Sequence, residues 1–412
     1  MRWIAACALL ATPALADSAW VQPVAGGYEA RIVTEATACP VLKTAHGATP
    51  MTPRMAASDK FPLICGAPLQ PGVHATVNGM PLPAPAASPR RILVLGDTGC
   101  RIKGAALQAC NDSSQWPFPQ LAAAAAGLKP DLVIHVGDYL YRESPCPEGK
   151  AGCAGSPWGD NWTTWQADFF SPAAPLLAAA PVVLTRGNHE DCTRAGPGWQ
   201  LLMGPASPAP CDRHVPLYTV DLHGLTLGVL DDAVSGEPDL DRDLAVTYAA
   251  EINSLAHAPG PVWFVHHRPT WAAITGPLGI PIGGNLTLIQ AALNNRAQGK
   301  PLLPGHVELQ LSGHIHSFEA INYDKGVPPQ IVAGNGGDNL DVTPKNLRGA
   351  TFVGHSGVRV ADGLSVGGFG FLLMTRAKAG WTVELYDSEG LRTRQCRFRD
   401  GRSKAPRVDC PG

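Results

Sequence analysis

Leu132-Val133-Ile134-His135-Val136 runs directly into Gly137-Asp138-Tyr139-Leu140-Tyr141, and the rest of the chain is read outward from this junction. The apolar run is rich in β-branched residues and short, which suits a buried strand. Gly137-Asp138 stops it and hands the next side chains to a loop at the sheet edge, where open α/β sheets place their binding sites. Taken alone, Asp138 reads as a turn carboxylate and Tyr141 as a core phenol. Other segments of the chain change that weighting.

The same design recurs four times. Arg91-Ile92-Leu93-Val94-Leu95 ends at Gly96-Asp97-Thr98-Gly99, and Pro181-Val182-Val183-Leu184-Thr185 ends at Arg186-Gly187-Asn188-His189-Glu190. Val262-Trp263-Phe264-Val265 ends at His266-His267-Arg268-Pro269, and residues 307–311 end at Ser312-Gly313-His314-Ile315-His316. Residues 119–128, parts of 162–180, 244–255 and 286–296 carry helical patterns between them. Strands alternating with helices, with polar residues at the strand ends, predict an α/β fold. Residues 330–333, 370–375 and 381–386 read as strands completing a second sheet.

The strand ends supply Asp97, Asp138 with Tyr141, Asn188 with His189, His267, and His314 with His316. Each alone has a structural explanation, because Asp and Asn are turn formers and a lone His is more often hydrogen-bonded than ligating. Together they are carboxylate, amide, imidazole and phenol groups delivered to one sheet edge, the donor inventory of a dinuclear metal site.

Composition bounds the remaining choices. The chain has 412 residues, only 16% of them charged, and a formal charge of −2. That leaves no basic field for nucleic acid and no charged tail. Residues 1–16 have the charge, apolar run and small-residue end of a secretory signal, so a secreted or periplasmic location is expected. No other stretch reaches the ~20 apolar residues of a membrane helix. Removing the signal takes Cys7 with it and leaves ten of eleven cysteines, an even number that suggests disulfides. Neighbour pairing would join Cys39 with Cys65, Cys100 with Cys110, Cys146 with Cys153, Cys192 with Cys211, and Cys396 with Cys410; sequence leaves other pairings open. Residues 17–80 read as a small β-rich module, 81–90 as a proline-rich linker and 91–412 as the catalytic domain.

Asp97-Thr98-Gly99, Gly137-Asp138-Tyr139-Leu140-Tyr141, Gly187-Asn188-His189-Glu190, Phe264-Val265-His266-His267 and Gly313-His314-Ile315-His316 resemble, in order, the signature of the calcineurin-like metallophosphoesterase superfamily in its purple acid phosphatase-like branch. That branch carries D-x-G, G-D-x-x-Y, G-N-H-D/E, V-x-x-H and G-H-x-H; Phe264 stands where the fourth has Val. The resemblance implies a two-sheet αββα sandwich. It implies one metal on Asp97, Tyr141 and His316, a second on Asn188, His267 and His314, and Asp138 between them. His267 is preferred to His266 because it stands two residues before Pro269. Many relatives have D-x-H first, with the His a ligand; Gly99 stands there instead, and Tyr141 becomes the replacement donor.

A phenol, whose ordinary pKa is about 10, binds as phenolate only under a strongly polarising ion, which favours Fe(III), with a divalent Fe, Zn or Mn beside it. Such a pair makes water nucleophilic near neutral pH and clamps phosphate oxygens. By resemblance His189 faces the substrate and is the expected catalytic residue. The expected activity is hydrolysis of small phosphate monoesters; a phosphodiesterase or nucleotide hydrolase is the alternative within the enzyme class, and a non-catalytic metal- or phosphate-binding protein the alternative outside it. Oligomeric state is not legible. Four further features are noted: Asp231-Asp232, within reach of the cleft but read as a turn or cap; Arg101, close enough to the first motif to touch phosphate but read as a surface residue; Gly334 to Asp338 as a tight loop near the second sheet rather than a phosphate cradle; and Asn285-Leu286-Thr287 as a glycosylation sequon.

Overall fold

Strands Arg91–Leu95, Leu132–His135 and Val182–Leu184 pair in parallel, and their residues alternate between two apolar layers. Ile92, Val94 and Ile134 face the sandwich interior, whereas Leu93, Leu95 and Val133 face helices. A strand buried on both sides needs apolar residues at every position, which is why these segments read as continuous runs. The computed structural model describes residues 17–411 except 207–210, 237–238, 277–280, 353, 355 and 402–404; the expected signal segment, 1–16, lies outside the described residues.

The first sheet continues from Arg91–Leu95 through Gly370–Arg376, Trp381–Asp387, Arg392–Arg399 and Arg407–Asp409, all antiparallel. The second sheet runs Tyr218–Asp221, Thr226–Val229, Val262–Val265, Val307–Ser312, Gln330–Ala333, Phe318–Tyr323 and Val360–Val366, parallel at its centre. The inner faces meet in one apolar layer that includes Val94, Ile134, Leu227, Leu309 and Ile331, and Trp263 packs edge-on against Trp381 across it at 4.9 Å. Helices Phe118–Gly127 and Ser171–Ala179 cover the outside of the first sheet; Arg242–Ser254 and Leu286–Ala297 cover the second. This is the expected αββα sandwich.

Two of the expected second-sheet strands belong elsewhere. Gly370–Arg376 and Trp381–Asp387 join the first sheet, with Leu372 opposite Val94. Phe371 and Leu373 then face the helices while Leu372 and Met374 face the interior. An apolar run satisfies either sheet equally well, so its pattern does not choose between them.

Residues 18–82 form two four-stranded antiparallel sheets around their own apolar cluster. Strand Met80–Leu82 runs into the proline-rich stretch, so the chain is still paired, Leu82 with Ala75, where a linker was expected to start. Trp20, Val33, Phe61 and Ile64 join the apolar cluster under helix Ser171–Ala179, and Trp20 meets Phe170 at 5.0 Å. Arg31, fully buried, donates to the carbonyls of Leu202 and Gly204 at 2.8 Å each. It thereby caps the C-terminal end of helix Gly196–Leu202, where carbonyls lack helical partners and a cation is favoured.

All five neighbour disulfides are present: Cys39–Cys65, Cys100–Cys110, Cys146–Cys153, Cys192–Cys211 and Cys396–Cys410. Asn285 is fully buried and its side chain accepts from Leu288 N to cap helix Leu286–Ala297, so this sequon is closed to glycosylation in the folded chain. Among the described residues no helix is long and apolar enough to cross a membrane.

Candidate metal centre

Parallel strands deliver their C-terminal loops to one edge of each sheet, and here the two edges face one another. The loop after Arg91–Leu95 carries Asp97, and the loop after Leu132–His135 carries Asp138 and Tyr141. The turn Asn188–Glu190 follows Val182–Leu184, His267 follows Val262–Val265, and His314 and His316 follow Val307–Ser312. All eight expected site residues thus converge.

The donor atoms fall into two groups. Tyr141 Oη lies 3.2 Å from Asp97 Oδ1 and 3.1 Å from His316 Nε2, and those two atoms are 3.3 Å apart. On the other side, His267 Nε2 is 3.0 Å from Asn188 Oδ1, and ligand atoms of Asp138, His267 and His314 lie within 4.8 Å of one another. Asp138 Oδ2 stands between the groups, 2.9 Å from Tyr141 Oη and 3.2 Å from His267 Nε2. His266 points away and pairs with Asp232 at 3.1 Å.

The model for the calcineurin-like phosphoesterase family matches residues 90–318. The chain belongs to that family. Among solved structures, the purple acid phosphatase PPD1 from yellow lupin (Lupinus luteus) seeds superposes with a TM-score of 0.56 at 14% identity, covering 92% of this chain and 74% of its own. A structure of PhoD has a TM-score of 0.56 at 11% identity, covering 96% of this chain and 91% of its own. At those identities the likeness is one of fold. Among curated proteins no sequence matches the chain. The chain is accordingly a metal-dependent phosphoesterase, and the family implies two metal ions.

The donor set of this phosphoesterase fits such ions. His267 Nδ1 lies 2.8 Å from the Val136 carbonyl and His316 Nδ1 lies 2.6 Å from that of Asn339. Each ring donates there, which turns the lone pair of Nε2 toward the centre. His267 Nε2 then faces two oxygen acceptors, Asn188 Oδ1 and Asp138 Oδ2, an arrangement that needs positive charge between the atoms. Burial opposes the imidazolium at both rings, yet Asp138 raises His267 to about 10, and Asp97 raises His316 to about 9. A potential that holds a proton so firmly also holds a cation. Burial, with Asp138 and Asp97, pushes the Tyr141 phenol well above its ordinary range, opposed by the charge of Arg101.

Three of the seven non-glycine residues with positive φ among the described residues lie here. Asp97, Asp138 and His314 have φ of 57°, 59° and 69°, the left-handed region that costs non-glycine residues about 1–3 kcal/mol each and marks functional sites. Gly187 is required by close approach, since a Cβ there would sit 2.1 Å from Asp138 Oδ1. Gly99 matters most. A Cβ at that position would lie 2.5 Å from Tyr139 O, 2.8 Å from Tyr141 Cδ2 and 2.9 Å from Asp168 Oδ2. The space that a His would need at position 99 is filled by Tyr141 and its supports.

His189 donates its backbone N–H to Asp138 Oδ1 at 2.8 Å, and its ring packs on Tyr141 with centroids 3.7 Å apart. Nδ1 is engaged by Glu143 Oε1 at 2.8 Å and Arg194 Nη2 at 2.5 Å, leaving Nε2 turned to the centre, 4.0 Å from Asp138 Oδ2. Burial lowers the ring to about 4, with Asp138 and Glu143 opposing the shift. Burial opposes the charged form of Glu143 too, but His189 and Arg194 hold it down at about 2.

The sequence reading missed these supports. Glu143 stands two residues after Tyr141 and Arg194 five after His189, but ordinary charged residues in loops carry no signal of their own. One noted feature is corrected and two gain further partners. Asp231-Asp232 does open a turn, with Ser235 N donating to Asp232 O and Ala233 N to Asp231 Oδ1; in addition Asp232, fully buried, accepts from His267 N, Arg268 N and His266 Nδ1, while Asp231 pairs with Arg186. Arg101 is not a surface residue, being ion-paired to buried Asp338. The Gly334 to Asp338 loop follows the second-sheet strand Gln330–Ala333 as expected and also lies against the first motif, with Gly336 N donating to Gly96 O and Asp338 N to Asp97 O.

Gly99→Ala is expected to cost about 1–3 kcal/mol, because the new methyl meets a backbone carbonyl that cannot yield without moving Tyr141; urea unfolding of the purified variant measures it.

Proposed function

We propose that this chain is an exported hydrolase of small phosphate monoesters that works with Fe(III) and a divalent iron, zinc or manganese ion. The observation that carries the reading is Asp138 Oδ2, placed between a group that contains a phenol and a group of imidazoles and amide. Asp97, Tyr141 and His316 would hold the trivalent ion, Asn188, His267 and His314 the divalent one, and Asp138 would touch both. The phenol is the hard anionic donor that selects the trivalent ion, since Gly99 removes the imidazole alternative.

When bound, such ions polarise phosphoryl oxygens and make water a nucleophile near neutral pH. The chain's own part begins with His189, whose Nε2 faces the centre. Once the ring is charged it would give its Nε2 proton to the leaving oxygen, and because burial lowers the ring to about 4 that step is favoured on the acid side. Glu143 against Nδ1 stabilises the imidazolium needed for that donation, and Arg194 fixes Glu143. The Tyr141 ring packed against it, tilted by 39°, keeps His189 from turning away. Tyr141, Asp138 and His267 are all buried, so the loops that carry them keep water out of the centre. Five disulfides fit an oxidising compartment and support export.

Iron-loaded protein is expected to absorb visible light by charge transfer from Tyr141; a colourless protein containing only zinc or manganese would remove iron from the proposal. His189→Ala is expected to retain both metals while turnover falls roughly 10²–10⁴-fold, and metal analysis beside kcat measures the two separately. Across matched monoester, diester and nucleotide substrates the monoester is expected to have the highest kcat/KM; a diester preference would refute the substrate class.

A further inference from the structure

One ion pair touches two ligands of the same expected ion. Arg101 Cζ lies 4.8 Å from the centre of the Tyr141 ring. Its Nε is 3.2 Å from Asp338 Oδ1, and Nη2 also bonds that carboxylate. Asp338 Oδ2 in turn lies 3.5 Å from His316 Nδ1. Tyr141, Arg101, Asp338 and His316 therefore form a continuous line of charge along one side of the centre. The pair is well shielded, with the Asp338 side chain fully buried and that of Arg101 only 22% exposed.

Its placement is built by the backbone. Asp338 N donates to Asp97 O at 2.9 Å, and Gly336 N to Gly96 O at 3.0 Å. A Cβ at Gly336 would stand 2.4 Å from Gly96 O, so the loop cannot lift away from the first motif. Asp338 is thus held on the strand end that supplies Asp97, and it draws the guanidinium across the phenol face.

We propose that Arg101, anchored by Asp338, tunes the electron-donating strength of Tyr141 and thereby the colour and reducibility of the ion that Tyr141 holds. The proposal rests on the iron reading above. A guanidinium over an aromatic face is attracted to its π electrons, more so when the ring carries the charge of a phenolate and water is scarce. Moving an electron from the ring to the ion weakens that attraction, so Arg101 raises the energy of the transition. It also makes the phenolate a poorer donor, which makes the ion easier to reduce. On reducibility Asp338 acts in the opposite sense through His316, because negative charge at Nδ1 strengthens Nε2 as a donor.

The test uses the full chain loaded with iron, as wild type, Arg101→Gln, Arg101→Lys and the double variant Arg101→Gln with Asp338→Asn. Visible spectra and reduction potentials are compared at equal measured iron content. Arg101→Gln is expected to shift the band to longer wavelength and lower the reduction potential, whereas Arg101→Lys, which keeps the charge, stays near wild type. The double variant leaves no buried carboxylate unpaired, so it covers the case in which Arg101→Gln does not fold; its band is expected to shift the same way, with a smaller change in reduction potential. A coloured wild type whose band is unmoved in both charge-removing variants overturns this proposal alone. A colourless iron-loaded wild type overturns the tyrosinate reading and this proposal with it.

Discussion

The Asp138 carboxylate is the constraint on which the centre depends. Oδ1 accepts the N–H of His189, and Oδ2 lies against both Tyr141 and His267. One side chain thus ties the third loop of the first sheet, the phenol of its own loop and an imidazole from the second sheet. To reach that position Asp138 accepts a left-handed backbone, as do Asp97 and His314. Such strain persists only where the surroundings over-determine it; here the sandwich layer beneath the loops and the disulfides beside them, Cys100–Cys110 and Cys192–Cys211, do so.

Behind the expected ligands, buried carboxylates hold the loops by their backbone. Asp168 accepts from Cys100 N and Tyr141 N and pairs with Arg142. Glu190 accepts from Gly187 N, Tyr139 N and Leu140 N. Asp232 does the same for His267 and Arg268. A buried carboxylate is costly unless its oxygens are satisfied, and satisfying them with loop N–H groups turns irregular backbone into a rigid frame. Asp168 belongs to a π-helical turn, Gln166–Phe170, a distortion often found where a helix serves a site. The frame then fixes which imidazole nitrogen faces the centre, through carbonyl contacts to His267 and His316.

Much of this was legible along the chain. The apolar runs at 91–95, 132–136, 181–185, 262–265 and 307–311 announced buried strands because both faces are covered, and each ended in a polar motif at the register the structure shows. The eight expected site residues were legible because their chemistry is unusual in combination and sits at strand ends. Strands Phe318–Tyr323, Val360–Val366 and Arg392–Arg399 were not picked out. Val360–Val366 carries Ala, Asp, Gly and Ser, and Arg392–Arg399 is mostly polar at a sheet flank, so neither offers an apolar pattern to detect.

The amino-acid order by itself determined the class of fold and an inventory of candidate donors, because these follow from local patterns of burial, spacing and side-chain chemistry; the structure chose the nearest-neighbour pairing among those open to the ten cysteines. Tertiary structure alone decided that strands 370–376 and 381–387 complete the first sheet, since an apolar run is content in either. It alone decided that Glu143 and Arg194 serve His189, and that Arg101 reaches Tyr141 through its anchor at Asp338, 237 residues away. Charged side chains declare their partners only in space, where low dielectric makes the nearest opposite charge dominate. Gly99 joins the two levels. The sequence shows an imidazole missing there, and the packing shows that Tyr141 fills its place.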